Sequence, residues 1–224
     1  MIENDLAFKN LKEYDERAGW IFEEVLNMPV EGECAKVPGR DNFDPNEFGV
    51  SIYSVSGQRI NFGSVRNPIT LQAITAVTSF LIAQDTVGED NLPIGSEPSG
   101  KMYNDMTMLN DKIPHNPLIN SGHLMSIASI YDGFRADRKF ENYTRVLSKM
   151  IAGRRVGFNN EMCLAELVDC HKNYCIAFIL QEKGLIPEDA DISALIEFYT
   201  QICNIELSLE DIAVIAGTLA NGGL

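Results

Sequence analysis

Few side chains in this sequence stand at spacings that do chemistry by themselves. His115, His123 and His171 are scattered, and a lone imidazole is more often structural than catalytic. Cys163, Cys170 and Cys175, with His171 beside them, match no common zinc spacing, so neither a metal nor a cofactor is expected. A Walker loop, a dinucleotide fingerprint, HExxH and G-x-S-x-G are all missing. What remains is a set of unusual polar strings and one helical segment, "NPITLQAITAVTSFLIAQ" at 67–84. One face of its first turns offers only Gln72, Ala73 and Ala76. That face fits a plain core helix, and it fits equally the floor of a site whose reacting groups have been removed.

The elements that must position such a site are legible from periodicity. Residues 1–28 mix charged and apolar residues at helical spacing, and 29–47 form a loop rich in Pro, Gly and Asp. "FGVSIYSVSGQRINFG" alternates around Ser56-Gly57 and predicts a β-hairpin. Thereafter the pattern is helical. Asn67 would cap a helix with Pro68 as its first residue. Further helices are marked by Leu124, Ile127, Ala128 and Tyr131, and by Phe140, Tyr143, Val146, Leu147, Met150 and Ile151. "FNNEMCLAELVDCHKNYCIAFILQEKG" predicts a helix with a break that stops at Gly184. Ile192, Leu195, Ile196, Tyr199 and Cys203 mark another, and Ser208-x-x-Asp211 reads as the capping box of the last. A turn-rich connection from 88 to 122 separates two of these helices, and connections of that length are usually functional.

The formal charge of −14 disfavours nucleic acid and anionic membrane as partners. No apolar run reaches bilayer length. The opening residues resemble neither a signal nor a transit peptide, so the expected location is cytoplasmic. Five cysteines, Cys34 and Cys203 included, are an odd number that fits reduced, mostly buried thiols.

"GVSIYSVSGQR", "EPSGKMYN", "PHNPLINSG", "VGFNN" and "TLANGG" occur in the order and nearly the spacing of one family. From about Phe48 to Leu224, and more loosely back to about residue 20, the chain resembles the glutaminases, especially the animal kidney/liver type. The resemblance implies an α/β (α+β), β-lactamase/transpeptidase-like fold, with a partial antiparallel sheet and a large helical part. It divides the chain into a lead-in at 1–47 and a glutaminase-like domain at 48–224. It also implies a serine-dependent hydrolysis of L-glutamine to L-glutamate and ammonia, without a cofactor, and a mitochondrial location as the alternative to the cytoplasm.

That chemistry needs a serine whose hydroxyl attacks the side-chain amide, and a neutral lysine one turn on to take its proton. Backbone N–H groups hold the oxyanion. The family motif Gln-Ser-x-x-Lys falls here on Gln72-Ala73-Ile74-Thr75-Ala76, so nucleophile and base are both alanine. By resemblance, Asn120, Glu166, Asn173 and Tyr199 match residues that hold the substrate. From the residues alone, Asn120 could serve only its turn, Glu166 could be a surface charge and Tyr199 a core tyrosine.

The family's tyrosine before the first strand corresponds to about Lys36. Its further strands, a second tyrosine and a second oxyanion donor lie past the match to "ANGGL". The expectation is therefore an inactive homologue that binds L-glutamine or L-glutamate, or associates with itself or with glutaminase-type subunits. Tyr103, Met106 and Met108 are candidates for such an interface. The alternatives are an amidohydrolase using Thr75 or Cys170, and a degenerate fragment. Loss of a serine nucleophile costs other hydrolases on the order of 10⁶ in kcat.

Overall fold

A computed structural model describes residues 10–29, 31–32, 44–133 and 138–223. Cys34, Lys36 and most of the expected 29–47 loop lie outside them. The chain forms two compact units: Met1–Ile69 with Arg145–Gly157 and Glu206–Leu224, and Thr70–Thr144 with Phe158–Ile205.

The first unit is built on the predicted hairpin, β1 (Gly49–Tyr53) and β2 (Arg59–Gly63), paired antiparallel with Ile52 opposite Ile60. The reversal runs through Ser54–Gln58, and Gly57 takes φ +83°, a value that suits a residue without Cβ. Alternation gives the hairpin two different faces. On one, Phe48 and Phe62 stack against Phe22 of α1 (Leu11–Leu26). The other presents Tyr53 to α8 (Leu209–Ala220), so closely that a Cβ at Gly217 would lie 2.3 Å from the Tyr53 ring. Ser208 caps α8 by accepting from the Asp211 N–H at 3.1 Å, as predicted. The reciprocal arm differs, because the Asp211 carboxylate accepts from the Ser208 hydroxyl.

The start of the next segment departs from the reading above. Pro68–Thr70 is not the first turn of a helix but a strand, β3, in a second sheet of order β3-β5-β4 with Gly157–Phe158 (β4) and Ile205–Ser208 (β5). Asn67 donates its side-chain amide to Glu47 instead of capping. Helix α2 begins only at Thr75 and runs to Val87.

The second unit packs α2 on α3 (Asn120–Gly133), with α5 (Asn160–Asp169), α6 (His171–Glu182) and α7 (Ile192–Cys203) around them. Leu124, Ile127, Ile130, Ile176, Leu180 and Ile196 fill the centre. The α5–α6 break falls at Cys170, and Gly184 (φ +69°) follows the end of α6. Helix α4 (Lys139–Met150) carries Tyr143 and Leu147 on its buried face. In the 88–119 connection, Met108 is a buried anchor and not a surface group, whereas Tyr103 and Met106 are exposed. Gly122 starts α3 against backbone, where a Cβ would lie 1.9 Å from the Asn116 carbonyl oxygen.

Candidate functional site

Gln72, Ala73, Ala76, Asn120, Glu166, Asn173 and Tyr199 all belong to the second unit. The site begins where the chain leaves its extended course. Leu71 donates its N–H to the Ile205 carbonyl at 2.8 Å, and Gln72 then turns into the left-handed region at φ +48°. For a residue with a side chain that conformation costs roughly 1–2 kcal/mol, and such outliers gather at functional sites. Two hydrogen bonds hold it. Gln72 Nε2 donates to Glu166 Oε1 at 2.7 Å, and Thr75 Oγ1 donates to the Gln72 carbonyl at 2.6 Å. A short 3-10 turn, Gln72–Ile74, leads into α2. Ala73 is exposed at this turn, and Ala76, three residues on, is 2% exposed.

Glu166, on α5, is half-buried and carries no surface role. Its second oxygen accepts from Asn204 Nδ2 at 2.7 Å, so two carboxamides grip one carboxylate. Asn204 itself is fully buried at the end of α7, where its amide also donates to the Thr200 carbonyl. Its Oδ1 accepts no hydrogen bond among the described residues. Asn120 opens α3, and its side chain donates to Asn173 Oδ1 on α6 at 3.0 Å instead of serving its own turn. The Asn120 N–H donates to the Tyr103 carbonyl at 2.8 Å.

Tyr199 is half-buried on α7, its ring 4.9 Å from the His123 ring. Burial pushes its hydroxyl well above the ordinary tyrosine range, and the neighbouring Cys203, Glu166 and Tyr103 act in the same direction. These links join Glu166 to Gln72 and Asn204, Asn120 to Asn173, and Tyr199 to His123, with Glu166 and Tyr103 close enough to act on the Tyr199 hydroxyl.

Behind the turn lies a buried polar network. His123 Nε2 is 3.3 Å from Ser79 Oγ and 3.5 Å from Thr75 Oγ1. The Tyr143 hydroxyl meets Thr78 Oγ1 at 2.7 Å and Ser79 Oγ at 3.0 Å. Burial holds His123 down to about 3, pushes Tyr143 up, and pushes the Cys203 thiol up to about 12. At neutral pH all three are uncharged, which is how a low-dielectric interior accommodates them.

A carboxylate flanked by carboxamides and a phenol can hold a small polar ligand. The two hydroxyl and thiol groups considered as nucleophiles, Thr75 and Cys170, are engaged elsewhere. The Thr75 hydroxyl is fully buried and already donating. Cys170 is buried, donates to the Leu167 carbonyl, and has its thiol pushed up chiefly by that burial. Among the described residues no three metal-ligating side chains cluster, and no helix is long and apolar enough to cross a membrane.

Sequence reasoning missed the parts played by Gln72 and Asn204. The available signal for Asn204 was a lone carboxamide in the otherwise apolar run "ICNI".

The Glutaminase family model matches residues 32–224. Putative glutaminase 3 of Caenorhabditis elegans is 31% identical over 92% of this chain and 36% of its own length. The mitochondrial liver isoform of glutaminase from Rattus norvegicus is 31% identical over 96% of this chain and 36% of its own. The chain thus spans little more than a third of the length of these relatives. Among solved structures, the probable glutaminase ybaS superposes with a TM-score of 0.86 at 20% identity, covering 96% of this chain and 70% of that one. A Bacillus glutaminase gives 0.71 at 28% identity, covering 78% and 59%. The expected fold, a β-lactamase-like mixture of small sheets and a dominant helical part, is the one found. The chain belongs to the glutaminase family.

Proposed function

We propose that this chain is a non-catalytic glutaminase homologue whose site holds an amino acid, L-glutamine or L-glutamate, without hydrolysing it. The observation that carries this reading is the Gln72 turn. Its left-handed backbone and its bond to Glu166 are present, while the residues one and four positions on are Ala73 and Ala76. A backbone strained for no remaining reaction still shapes a ligand cradle. Glu166 supplies an acceptor for an α-ammonium group, with Asn120, Asn173 and Tyr199 as further polar contacts. Alanine offers neither attack on the amide carbon nor a group to take up the proton. Thr75 and Cys170 are poor substitutes, because both are buried and already hydrogen-bonded. The reading includes a cytoplasmic location, and it leaves any assembly with glutaminase-type subunits to surfaces outside the site.

Calorimetric titration with L-glutamine and L-glutamate, beside an ammonia-release assay, tests the proposal. Binding that Glu166→Gln weakens at least about tenfold, as expected for losing a charge-assisted contact, with ammonia at background, is the expected result. Adding Ala73→Ser and Ala76→Lys together should leave turnover at background, since residue 76 is 2% exposed and has no ready space for a lysine stem. Ammonia release by the unaltered chain at the rate of an active glutaminase would refute the reading.

A further inference from the structure

Asn204 is 0% exposed, and its polar groups are engaged in all but one place. Its backbone N–H donates to the Thr200 and Gln201 carbonyls, and its own carbonyl accepts from the Asn159 N–H at 2.9 Å. The two hydrogens of its carboxamide go to Glu166 Oε2 at 2.7 Å and to the Thr200 carbonyl at 3.0 Å. Oδ1 is left over, buried and accepting from no group among the described residues. Turning the amide over does not help. It would set the oxygen against the Glu166 carboxylate and the Thr200 carbonyl, and strand two buried N–H groups instead. The direction of Oδ1 is therefore fixed by its neighbours. Buried acceptors in folded proteins are almost always paired, because an unpaired one forfeits its hydration.

We infer that Asn204 Oδ1 and Glu166 Oε2 together form a subsite for a primary ammonium group, which makes Asn204 a direct contact of the ligand. Reach supports this. Nδ2 lies 2.7 Å from Glu166 Oε2, and amide geometry then keeps Oδ1 within about 5 Å of the same oxygen. One nitrogen donating at about 2.8 Å to each acceptor spans such a pair. Capacity supports it as well. Gln72 and Asn204 each take one lone pair of the Glu166 carboxylate, and each oxygen keeps another. Both of these partners are neutral carboxamides, so the carboxylate charge is left for a ligand to balance. A donor that meets a carboxylate and an amide oxygen at once is held best when it is cationic. A ligand carboxylate would be repelled at this place. The inference rests on the reading of this site as an amino-acid cradle, and adds a second acceptor for the ammonium end. Glu166 alone was matched to that end by resemblance.

Thermal unfolding and calorimetry of the full chain give the test. Methylammonium chloride should raise Tm above tetramethylammonium chloride at equal ionic strength, because only the first donates N–H groups and binding to the native state stabilises it. L-Glutamine should bind at least about tenfold tighter than N-acetyl-L-glutamine, which keeps the side chain and carboxylate but has no ammonium. Asn204→Asp sets a second carboxyl group against Glu166, and carboxylates in contact share one proton. An ammonium entering between them sends that proton to the buffer. The binding enthalpy of Asn204→Asp should therefore vary with the ionisation enthalpy of the buffer, by close to one proton released, while that of the unaltered chain stays constant. A merely structural Asn204 gives no such release. If Asn204→Asp does not fold, the two comparisons on the unaltered chain decide. Equal effects of the two ammonium salts would overturn the subsite. Methylammonium stabilisation without glutamine binding would support the subsite and refute the amino-acid reading instead. Equal binding of glutamine and its N-acetyl form, or a variant enthalpy indifferent to buffer, would leave the amino-acid reading standing and overturn the contact, assigning Oδ1 to an ordered water.

Discussion

Acidification should weaken this fold by a route that runs through one residue. His123 is 2% exposed, and burial holds its folded pKa near 3, whereas an unfolded histidine titrates near 6.5. Between those values the unfolded chain carries a proton that the folded chain excludes. Stability is therefore fully present above about pH 6.5 and falls as pH drops towards 3, by about 1.4 kcal/mol per unit. At pH 5 the loss is roughly 2 kcal/mol, and near pH 3 about 4 kcal/mol, a large share of the whole stability of a small domain. Urea unfolding at pH 7.5, 6 and 5, followed by circular dichroism, measures this slope. The comparison is His123→Gln, which keeps a polar partner for Ser79 and Thr75 but cannot be protonated. The variant should be less stable at pH 7.5 by about 1–3 kcal/mol, the usual cost of disturbing buried hydrogen bonds. Between pH 6 and 5 its slope should be smaller than that of the unaltered chain by close to one proton. Equal slopes would refute the account, because carboxylates and the other two histidines are common to both proteins.

The same reasoning extends to two backbone positions. At Gln72, replacement by Gly removes the Glu166 bond and relieves the φ +48° strain, whereas replacement by Ala removes the bond and keeps the strain. Thermal unfolding should rank Ala below Gly by about 1 kcal/mol, and equal stabilities would contradict the strain. Gly122→Ala places a methyl group where the Asn116 carbonyl oxygen would be 1.9 Å away. The backbone has to move, so a loss of about 1–3 kcal/mol or more is expected on overpacking grounds. A thermal shift within error of zero would show that the close approach is not maintained.

Much of this protein was written locally. Alternation and Gly57 sufficed for the hairpin, because a strand pair and its turn are encoded within fifteen residues. Helical periodicity located α3, α4 and α7. The α5–α6 break and the Ser208 cap also depend only on near neighbours. The polar strings sufficed to place the chain in its family. Asn120, Glu166, Asn173 and Tyr199 could be named from the resemblance, yet Asn120, Glu166 and Tyr199 each kept a plain structural reading until their surroundings were known. Their convergence joins residues more than fifty positions apart, as in the Asn120–Asn173 bond.

What tertiary structure alone decided is clearest at Pro68–Thr70. Its residues satisfy the rules for a helix start, with Asn67 placed to cap and Pro68 suited to a first turn. They form a strand instead, because Ile205–Ser208 lies in the same sheet and Leu71 bonds to the Ile205 carbonyl. Strands of two to four residues carry too short a period to announce themselves, and their hydrogen-bond partners are set by the rest of the fold. The strained turn at Gln72 has the same origin. The identities at 72, 73 and 76 were fixed by sequence, but the left-handed backbone exists because Glu166 and Asn204 meet it from distant elements. An isolated peptide would relax such a conformation. A packed interior can hold it, since buried hydrogen bonds offset its cost.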